Sequence, residues 1–331
     1  MKRKLLALML ALLLAVGIPA SAAGGDKISE PGIEKSIIFD DGSEGDVDTQ
    51  PALGTIHFKL ESTVPEGLID YIDLPFGESQ NNYCHLTFHD TMDAGLCLLS
   101  ETIRIMVNDI QLEPDSYAFN IGEDAEGNTL ITIGLELVGL YNDGIIDIPD
   151  FGIAPIIVEY DAYLEEGVLA GEYHNSVYVE YEGGVTPVDI VIINTYGLVI
   201  FKHGDTDRSH GLEGAVFRIY QIINGQEIDV VASCTTDEHG FIHIDGLDAG
   251  TYYVQEIQAP PGYTMNPEPV EVILGEGLLG NIVTVYFSNV YSGSPVTGGR
   301  SSVFMGLALI AAGTVSILIM RMRRNTAAHG E

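Results

Sequence analysis

The chain has 331 residues, with 48 acidic and 14 basic side chains and a formal net charge of −34 at pH 7. So acidic a composition argues strongly against a nucleic-acid-binding protein, because phosphate backbones are held by lysine and arginine. Without the two terminal segments described below, roughly 275 residues remain, which is enough for two domains with separate cores.

The N-terminal segment has the three parts of a secretory signal peptide. Basic residues at 2–4 precede an apolar stretch at 5–18, and small residues at 20–22 form a cleavage site. We therefore predict that residues 1–22 are removed and that the mature protein begins near Ala23, outside the membrane.

Residues 30–195 are predicted to form a first, all-β domain. Short runs of β-branched and aromatic residues alternate with polar ones, as at 176–182, and Gly, Pro, Asn and Asp separate the runs. Three polar residues fall in phase with apolar neighbours: Lys35 with those at 33 and 37, Asp90 with those at 86 and 88, and Asn175 with those at 177 and 179. We expect all three to point into a sandwich core.

Residues 196–291 are predicted to form a second β-sandwich domain in tandem with the first. The alternation at 282–287 is typical of a strand. Lys202 lies in phase with the apolar residues at 198 and 200, Glu256 with those at 252 and 254, and Asn289 with those at 283, 285 and 287. Each domain is thus expected to bury one lysine, one asparagine and one carboxyl group.

This composition is what an intramolecular isopeptide bond requires. Burial favours the neutral amine of lysine, which is a nucleophile, and the protonated form of a carboxyl group, which can donate a hydrogen bond to the asparagine carbonyl. The amine would attack the side-chain carbonyl carbon, and ammonia would leave. The alternative is a buried lysine–carboxylate pair hydrogen-bonded to asparagine, with no bond formed. In the first domain Asn194 is a rival acceptor and Asp93 a rival acid.

The C-terminal residues carry a three-part pattern. Ser-Pro-Val-Thr-Gly at 294–298 precedes an apolar segment at 301–320, long enough for a bilayer core of ~30 Å, and an arginine-rich tail at 321–331. The pattern resembles the cell-wall sorting signal read by sortases of Gram-positive bacteria, although Ser294 stands where that family has leucine. The resemblance implies cleavage between Thr297 and Gly298 and transfer of Thr297 to an amine of peptidoglycan or of another subunit. A plain membrane anchor is the alternative.

The second domain resembles the SpaA-type, or collagen-adhesin B-type, prealbumin-like domains of Gram-positive pilins. The resemblance rests on the segments LVIFK at 198–202, GLEGAVF at 211–217, TDEHG at 236–240, TYYVQEIQAPPGY at 251–263 and FSN at 287–289. The first domain is similar, less strongly, to the isopeptide-forming fimbrial domains that precede such modules. These resemblances imply a Lys202–Asn289 bond promoted by Glu256 and a Lys35–Asn175 bond promoted by Asp90.

The remaining lysines and cysteines give weaker indications. Lys27 and Lys59 are candidate amines for sortase-mediated joining to another subunit, or else ordinary surface lysines. Cys84, Cys97 and Cys234 cannot all pair within one chain. A Cys84–Cys97 bridge and three separate thiols both remain open. We expect no cofactor and no metal site, because His85 and His89 lack a third ligand at a recognisable spacing.

The sequence therefore predicts a structural protein of the cell surface rather than an enzyme, with single-turnover self-crosslinking as its only chemistry. Backbone pilins of the family resembled carry a motif of the Tyr-Pro-Lys type, whose lysine accepts the next subunit, and this chain has no such motif. Together with the small size, this favours a minor, ancillary or short pilin subunit. The alternatives are a standalone wall-anchored adhesin whose first domain binds a host or matrix ligand, and a secreted enzyme of unknown class.

Overall fold

The structure is a computed structural model that describes residues 29–68, 85–182 and 184–292. The predicted signal peptide, sorting motif, apolar segment and tail lie outside these ranges, as do Lys27, Cys84, Thr297 and Gly298. Within the described ranges the chain is built almost wholly of β-strands arranged as sandwich sheets, which confirms the all-β prediction. None of the helices in those ranges is long and apolar enough to cross a bilayer.

The described residues divide into two compact units. The first contains those within 29–48, 53–165 and 173–193, and the second contains 49–52, 166–172 and 194–292. The domain limits predicted above, 30–195 and 196–291, stay a prediction.

The first unit is a two-sheet sandwich with one short α-helix and two 3-10 helices, at Pro114–Ser116 and Ile148–Asp150. Its elements in chain order are β1 (Ile33–Ile38), β2 (Glu44–Gly45), β3 (Val47–Thr49), β4 (Thr55–Thr63), β5 (His85–Met92), β6 (Leu96–Val107), β7 (Ile110–Gln111), β8 (Tyr117–Glu123), β9 (Thr129–Glu136), α1 (Leu137–Asn142), β10 (Pro155–Leu164), β11 (Gly171–Tyr181), β12 (Gly184–Val185) and the start of β13 (Asp189–Gly204).

The strand order places the key residues on opposite sheets. One sheet runs β2-β1-β4-β10-β6-β7, and the other contains β11-β5-β9-β8 with β13 beside β11. Alternate residues of β4, among them Phe58 and Leu60, are fully buried, and each such side chain contributes about 1.5–3 kcal/mol. The same alternation on β10 points Tyr160 into the core. Asp90 lies opposite Val177 in the β5–β11 register, two positions from Asn175.

The second unit is also a two-layer sandwich. Its further strands are β14 (Val216–Ile223), β15 (Gln226–Thr235), β16 (Phe241–Leu247), β17 (Gly250–Gln258), β18 (Tyr263–Thr264), β19 (Val270–Leu274) and β20 (Ile282–Tyr291). One layer contains β18-β20-β13 with β16 on β13, and the other runs β15-β14-β17-β19. Strands β13 and β20 are parallel, with Lys202 opposite Phe287 and Gly204 opposite Asn289.

Candidate functional site

The first cluster joins both sheets of the first unit. Lys35 on β1 donates to Asp90 Oδ2 on β5 at 2.6 Å and to the Tyr160 hydroxyl on β10 at 3.0 Å. Tyr160 donates to the same Asp90 oxygen at 2.6 Å and accepts from Nδ2 of Asn175 on β11 at 2.8 Å. All four side chains are at most 2% exposed. The structure thus brings together the lysine, acid and asparagine proposed from the sequence.

Tyr160 is a member of this cluster that the sequence reasoning missed. The alternation of β10 places residue 160 toward the core with residues 156, 158 and 162, and that much can be predicted from sequence. Nothing in that alternation distinguishes a hydroxyl that meets the lysine from a packed aromatic ring. The Lys35 ammonium also lies 5.6 Å from the centre of the Phe58 ring and 5.5 Å from that of Tyr160, within cation–π range.

The second cluster lies in the core of the second unit. Lys202 on β13 has its Nζ 3.4 Å from Glu256 Oε1 on β17. Asn289 on β20 donates from Nδ2 to both carboxylate oxygens of Glu256, at 2.8 and 2.9 Å. The backbone N–H of Asn266 gives Glu256 Oε2 a further hydrogen bond at 2.8 Å. Lys202, Glu256 and Asn289 are 0, 1 and 2% exposed, so the cluster is fully buried.

The backbone of Lys202 lies beside a close crossing of Gly211 and Gly240. Its N–H donates to Gly240 O at 2.8 Å, and its carbonyl accepts from Leu212 N at 2.9 Å. A Cβ at Gly211 would lie 1.7 Å from His239 O, and one at Gly240, where φ is +80°, would lie 2.5 Å from the Gly211 Cα. Only glycine fits this crossing, and the crossing fixes where the lysine enters the core.

Burial dominates the electrostatics of both lysines. Loss of hydration lowers the pKa of Lys35 to about 8 against the opposing charge and hydrogen bond of Asp90. It lowers the pKa of Lys202 to about 8 against Glu256 in the same way. The pKa of Tyr160 is raised well above its ordinary value, first by burial and then by the charge of Asp90. Both amines are therefore easier to convert to nucleophiles than a surface lysine.

Unsatisfied polar atoms mark both clusters. Across the part of the chain that the structure describes, the buried side-chain nitrogen and oxygen atoms without a hydrogen bond are Asp90 Oδ1, Asn175 Oδ1, Lys202 Nζ and Asn289 Oδ1. Lys202 Nζ is within ion-pair distance of Glu256 but makes no aligned hydrogen bond. Because a buried unpaired polar atom costs about 1–3 kcal/mol, four of them confined to two clusters call for an explanation in terms of function.

The rival residues lie elsewhere. Asp93 pairs with His174, its Oδ2 accepting from the His174 N–H at 2.8 Å and lying 2.9 Å from the ring. The side-chain oxygen of Asn194 contacts Asn281 at 3.3 Å. Neither contact involves Lys35. Among the described residues, no group of three or more His, Cys, Asp or Glu side chains is arranged to hold a metal ion.

Lys59 lies on β4 between two carboxylates. Its ammonium contacts Glu44 and Glu61 at 2.9 Å each, and the side chain is 17% exposed. Partial burial acts to lower the pKa of Lys59, but the hydrogen bonds and charges of Glu61 and Glu44 outweigh it and raise the pKa. Lys59 is therefore held protonated, which opposes its use as an acceptor amine.

Cys97 and Cys234 are half-buried free thiols. Burial raises the pKa of the Cys234 thiol to about 11, so it is a poor thiolate source at neutral pH. Neither thiol lies in the two clusters.

Comparison with known proteins supports the reading of the fold. Residues 197–286 match SpaA, the prealbumin-like fold domain. The chain is 27% identical over 199 residues to the trypsin-resistant surface T6 protein of Streptococcus pyogenes serotype M6. This match covers 53% of this chain and 36% of that protein. The chain thus spans about a third of this relative's length.

Solved pilin structures share the architecture. The major pilin SpaA of Corynebacterium diphtheriae aligns with a TM-score of 0.57 at 14% identity, over 80% of this chain and 69% of that chain. The T6 backbone pilin of Streptococcus pyogenes aligns with a TM-score of 0.52 at 18% identity, over 74% and 52%. At these identities the likeness shows the fold, and the site residues of this chain are argued from their own geometry.

Proposed function

We propose that the chain is a structural subunit of the Gram-positive cell surface, stabilised by two lysine–asparagine isopeptide bonds formed by the chain itself. The premise is the match of residues 197–286 to the SpaA prealbumin-like fold domain, together with the similarity in sequence to the T6 surface protein and in fold to solved pilins. The chemistry of the chain is a single turnover within each unit, so the protein is not an enzyme. The two buried clusters carry this proposal.

The unsatisfied atoms support bond formation over a static ion pair. Condensation consumes the lysine amine, and Lys202 Nζ lacks a hydrogen bond. The Oδ1 atoms of Asn175 and Asn289 also lack one, so each can accept a hydrogen bond from a protonated acid. The amine attacks the amide carbon, the new C–N bond replaces the old one, and the amide nitrogen leaves as ammonia. The neighbouring carboxyl group, Asp90 or Glu256, takes up and returns the proton that moves between the two nitrogens.

Such bonds suit a protein that is pulled from its ends. The Lys35–Asn175 bond would join β1 to β11 and so link the two sheets of the first unit. The Lys202–Asn289 bond would join β13 to β20, the last strand before the sorting motif. Force along the chain would then load covalent bonds rather than strand hydrogen bonds. The structure of the major pilin SpaA of C. diphtheriae has been described as pointing to a modular pilus assembly with stabilising isopeptide bonds.

Attachment to the surface is the second half of the proposal. The signal peptide delivers the protein outside the cell, and a sortase cleaves after Thr297 and joins it to peptidoglycan or to a lysine of another pilin subunit. Of the mature lysines that the structure describes, Lys35 and Lys202 are buried, and Lys59 forms ion pairs with two carboxylates. Among these described lysines no free surface amine remains, which favours an ancillary or short subunit over a repeating shaft subunit, while Lys27, outside the described residues, stays a candidate acceptor.

A gel assay of cell-wall extracts tests the attachment. In cells that produce this chain with its sortases, we expect the protein in wall extracts, within high-mass polymers that resist boiling in detergent. Thr297→Ala should release it to the membrane or the medium, whereas Ser294→Leu, which restores the usual motif, should keep it attached. Wall-attached monomer without polymers would favour the standalone adhesin, and equal attachment of Thr297→Ala would refute sortase anchoring.

A further inference from the structure

The acid of each cluster contacts its asparagine amide in a different way. In the second, Glu256 contacts the Asn289 amide directly at 2.8 and 2.9 Å. In the first, the Asn175 amide donates to the Tyr160 hydroxyl at 2.8 Å, and this hydroxyl donates to Asp90 at 2.6 Å. Aspartate is one methylene shorter than glutamate, and in the first cluster the Tyr160 hydroxyl bridges the acid and the amide.

We propose that Tyr160 is a catalytic residue of the first cluster and relays a proton between Asp90 and the Asn175 amide. This inference rests on the bond formation proposed for that cluster. The hydroxyl touches the lysine nitrogen at 3.0 Å as well as the acid and the amide, so it meets both reacting groups. A phenol can donate and accept at once, which a relay requires. Burial and the Asp90 charge raise the pKa of Tyr160 and keep it protonated.

The reaction balances without solvent protons. Asp90 first takes a proton from Lys35 across their 2.6 Å hydrogen bond, which leaves a neutral amine and a neutral acid. The amine attacks Cγ of Asn175, and the carbonyl electron pair moves to Oδ1. As the Asn175 amide nitrogen loses its conjugation with the carbonyl group, Tyr160 gives it a proton across their 2.8 Å contact and receives one from Asp90. The Asp90 carboxylate then removes a proton from the new N–C linkage.

Collapse of this intermediate completes the cycle. The electron pair on Oδ1 re-forms the carbonyl group, and the amide nitrogen of Asn175, with the proton that Asp90 supplied through the Tyr160 hydroxyl, leaves as ammonia. One C–N bond has formed, one has broken, and Asp90, which holds the proton taken from the new linkage, is again a neutral acid. The second cluster needs no such hydroxyl, because Glu256 touches its amide directly.

The test follows both bonds over time in the same molecules. The whole chain is made by cell-free translation in detergent, quenched at intervals and cut with a protease specific for acidic residues, which suits a chain with 48 Asp and Glu. Mass spectrometry then quantifies the peptides linked through Lys35–Asn175 and Lys202–Asn289. Tyr160→Phe keeps the ring and removes the hydroxyl, and Tyr163→Phe on the same strand is the matched control.

We expect formation of the first bond to slow by ~100-fold or more in Tyr160→Phe, the usual contribution of a general acid–base group. The second bond in the same molecules, and both bonds in Tyr163→Phe, should form at the wild-type rate. The wild-type rate of the first bond should be flat across neutral pH. The residual rate in Tyr160→Phe should fall as pH rises, because ammonia must then draw protons from solvent.

Three results would overturn the relay, and they separate it from the proposed function. A first bond that forms normally in Tyr160→Phe removes the role of Tyr160 and leaves the bond itself standing. A slow bond whose pH dependence matches the wild type assigns Tyr160 to packing alone. Absence of the Lys35–Asn175 peptide from the wild-type protein refutes bond formation at this cluster and the relay with it.

Discussion

Replacing Asn289 with alanine isolates the contribution of the second bond to stability. The change removes the acceptor of the bond and leaves the Lys202–Glu256 pair in place. The bond closes a loop on the order of 90 residues, and a cross-link of that span stabilises a protein by about 4–5 kcal/mol through the entropy of the unfolded chain. For a unit of roughly 100 residues this corresponds to a fall in Tm of roughly 15–25 °C.

Differential scanning calorimetry of the reduced ectodomain, residues 25–297, measures this fall in Tm. Ser288→Ala is the matched control, because Ser288 precedes Asn289 on β20 and its side chain is exposed. We expect Ser288→Ala to melt with the wild type, and Asn289→Ala to lose stability in the transition of the second unit only. If the wild type is shown to be cross-linked and Asn289→Ala still melts within a few degrees of it, the cross-link does not stabilise the second unit by loop closure.

Two further predictions concern the lysines. In Asn289→Ala, Lys202 stays a free amine with its pKa lowered by burial to about 8 from 10.5. Between these values the unfolded chain binds the extra proton, so the free energy of unfolding should rise with pH by about 1.4 kcal/mol per unit relative to the cross-linked wild type. Separately, an amine-acylating reagent should label Lys59 slowly, and Glu44→Gln with Glu61→Gln should speed that labelling by freeing the ammonium from its two carboxylates.

Each of these two predictions has its own refutation. A difference between Asn289→Ala and wild type that does not change over the pH window would show that Lys202 keeps its ordinary pKa. Unchanged labelling in the Glu44 and Glu61 variant would show that the carboxylates do not restrain Lys59, and would return it to the candidate acceptors.

Strand periodicity was sufficient to place the lysines, acids and asparagines on buried faces. Period-two alternation reports which face of a strand a residue occupies, and Lys35 and Asn289 are buried with their apolar neighbours accordingly. The same pattern cannot say which residues of the opposite sheet they meet, because sheet stacking is a tertiary property. The contact of Tyr160 with Lys35 and the backbone hydrogen bond from Asn266 to Glu256 therefore became visible only in the structure.

Strand continuity could not be predicted either. The sequence predicts a domain limit at 195/196, and β13 runs without a break over Asp189–Gly204. This stretch contains Gly197, and glycine in a strand often marks an end or a bulge. The β13–β16 register does shift between Tyr196 and Leu198, so this glycine marks an irregularity within a continuous strand.

The intact mass of the reduced ectodomain, residues 25–297, shows directly whether the two isopeptide bonds form. Each bond releases one ammonia, so we expect a mass about 34 Da below that of the plain sequence. Asp90→Ala and Glu256→Ala each remove the acid of one cluster, so each variant should lie only about 17 Da below the mass of its own plain sequence. A wild-type mass equal to the plain sequence would show that the lysines are merely buried beside their acids, and would contradict the covalent account.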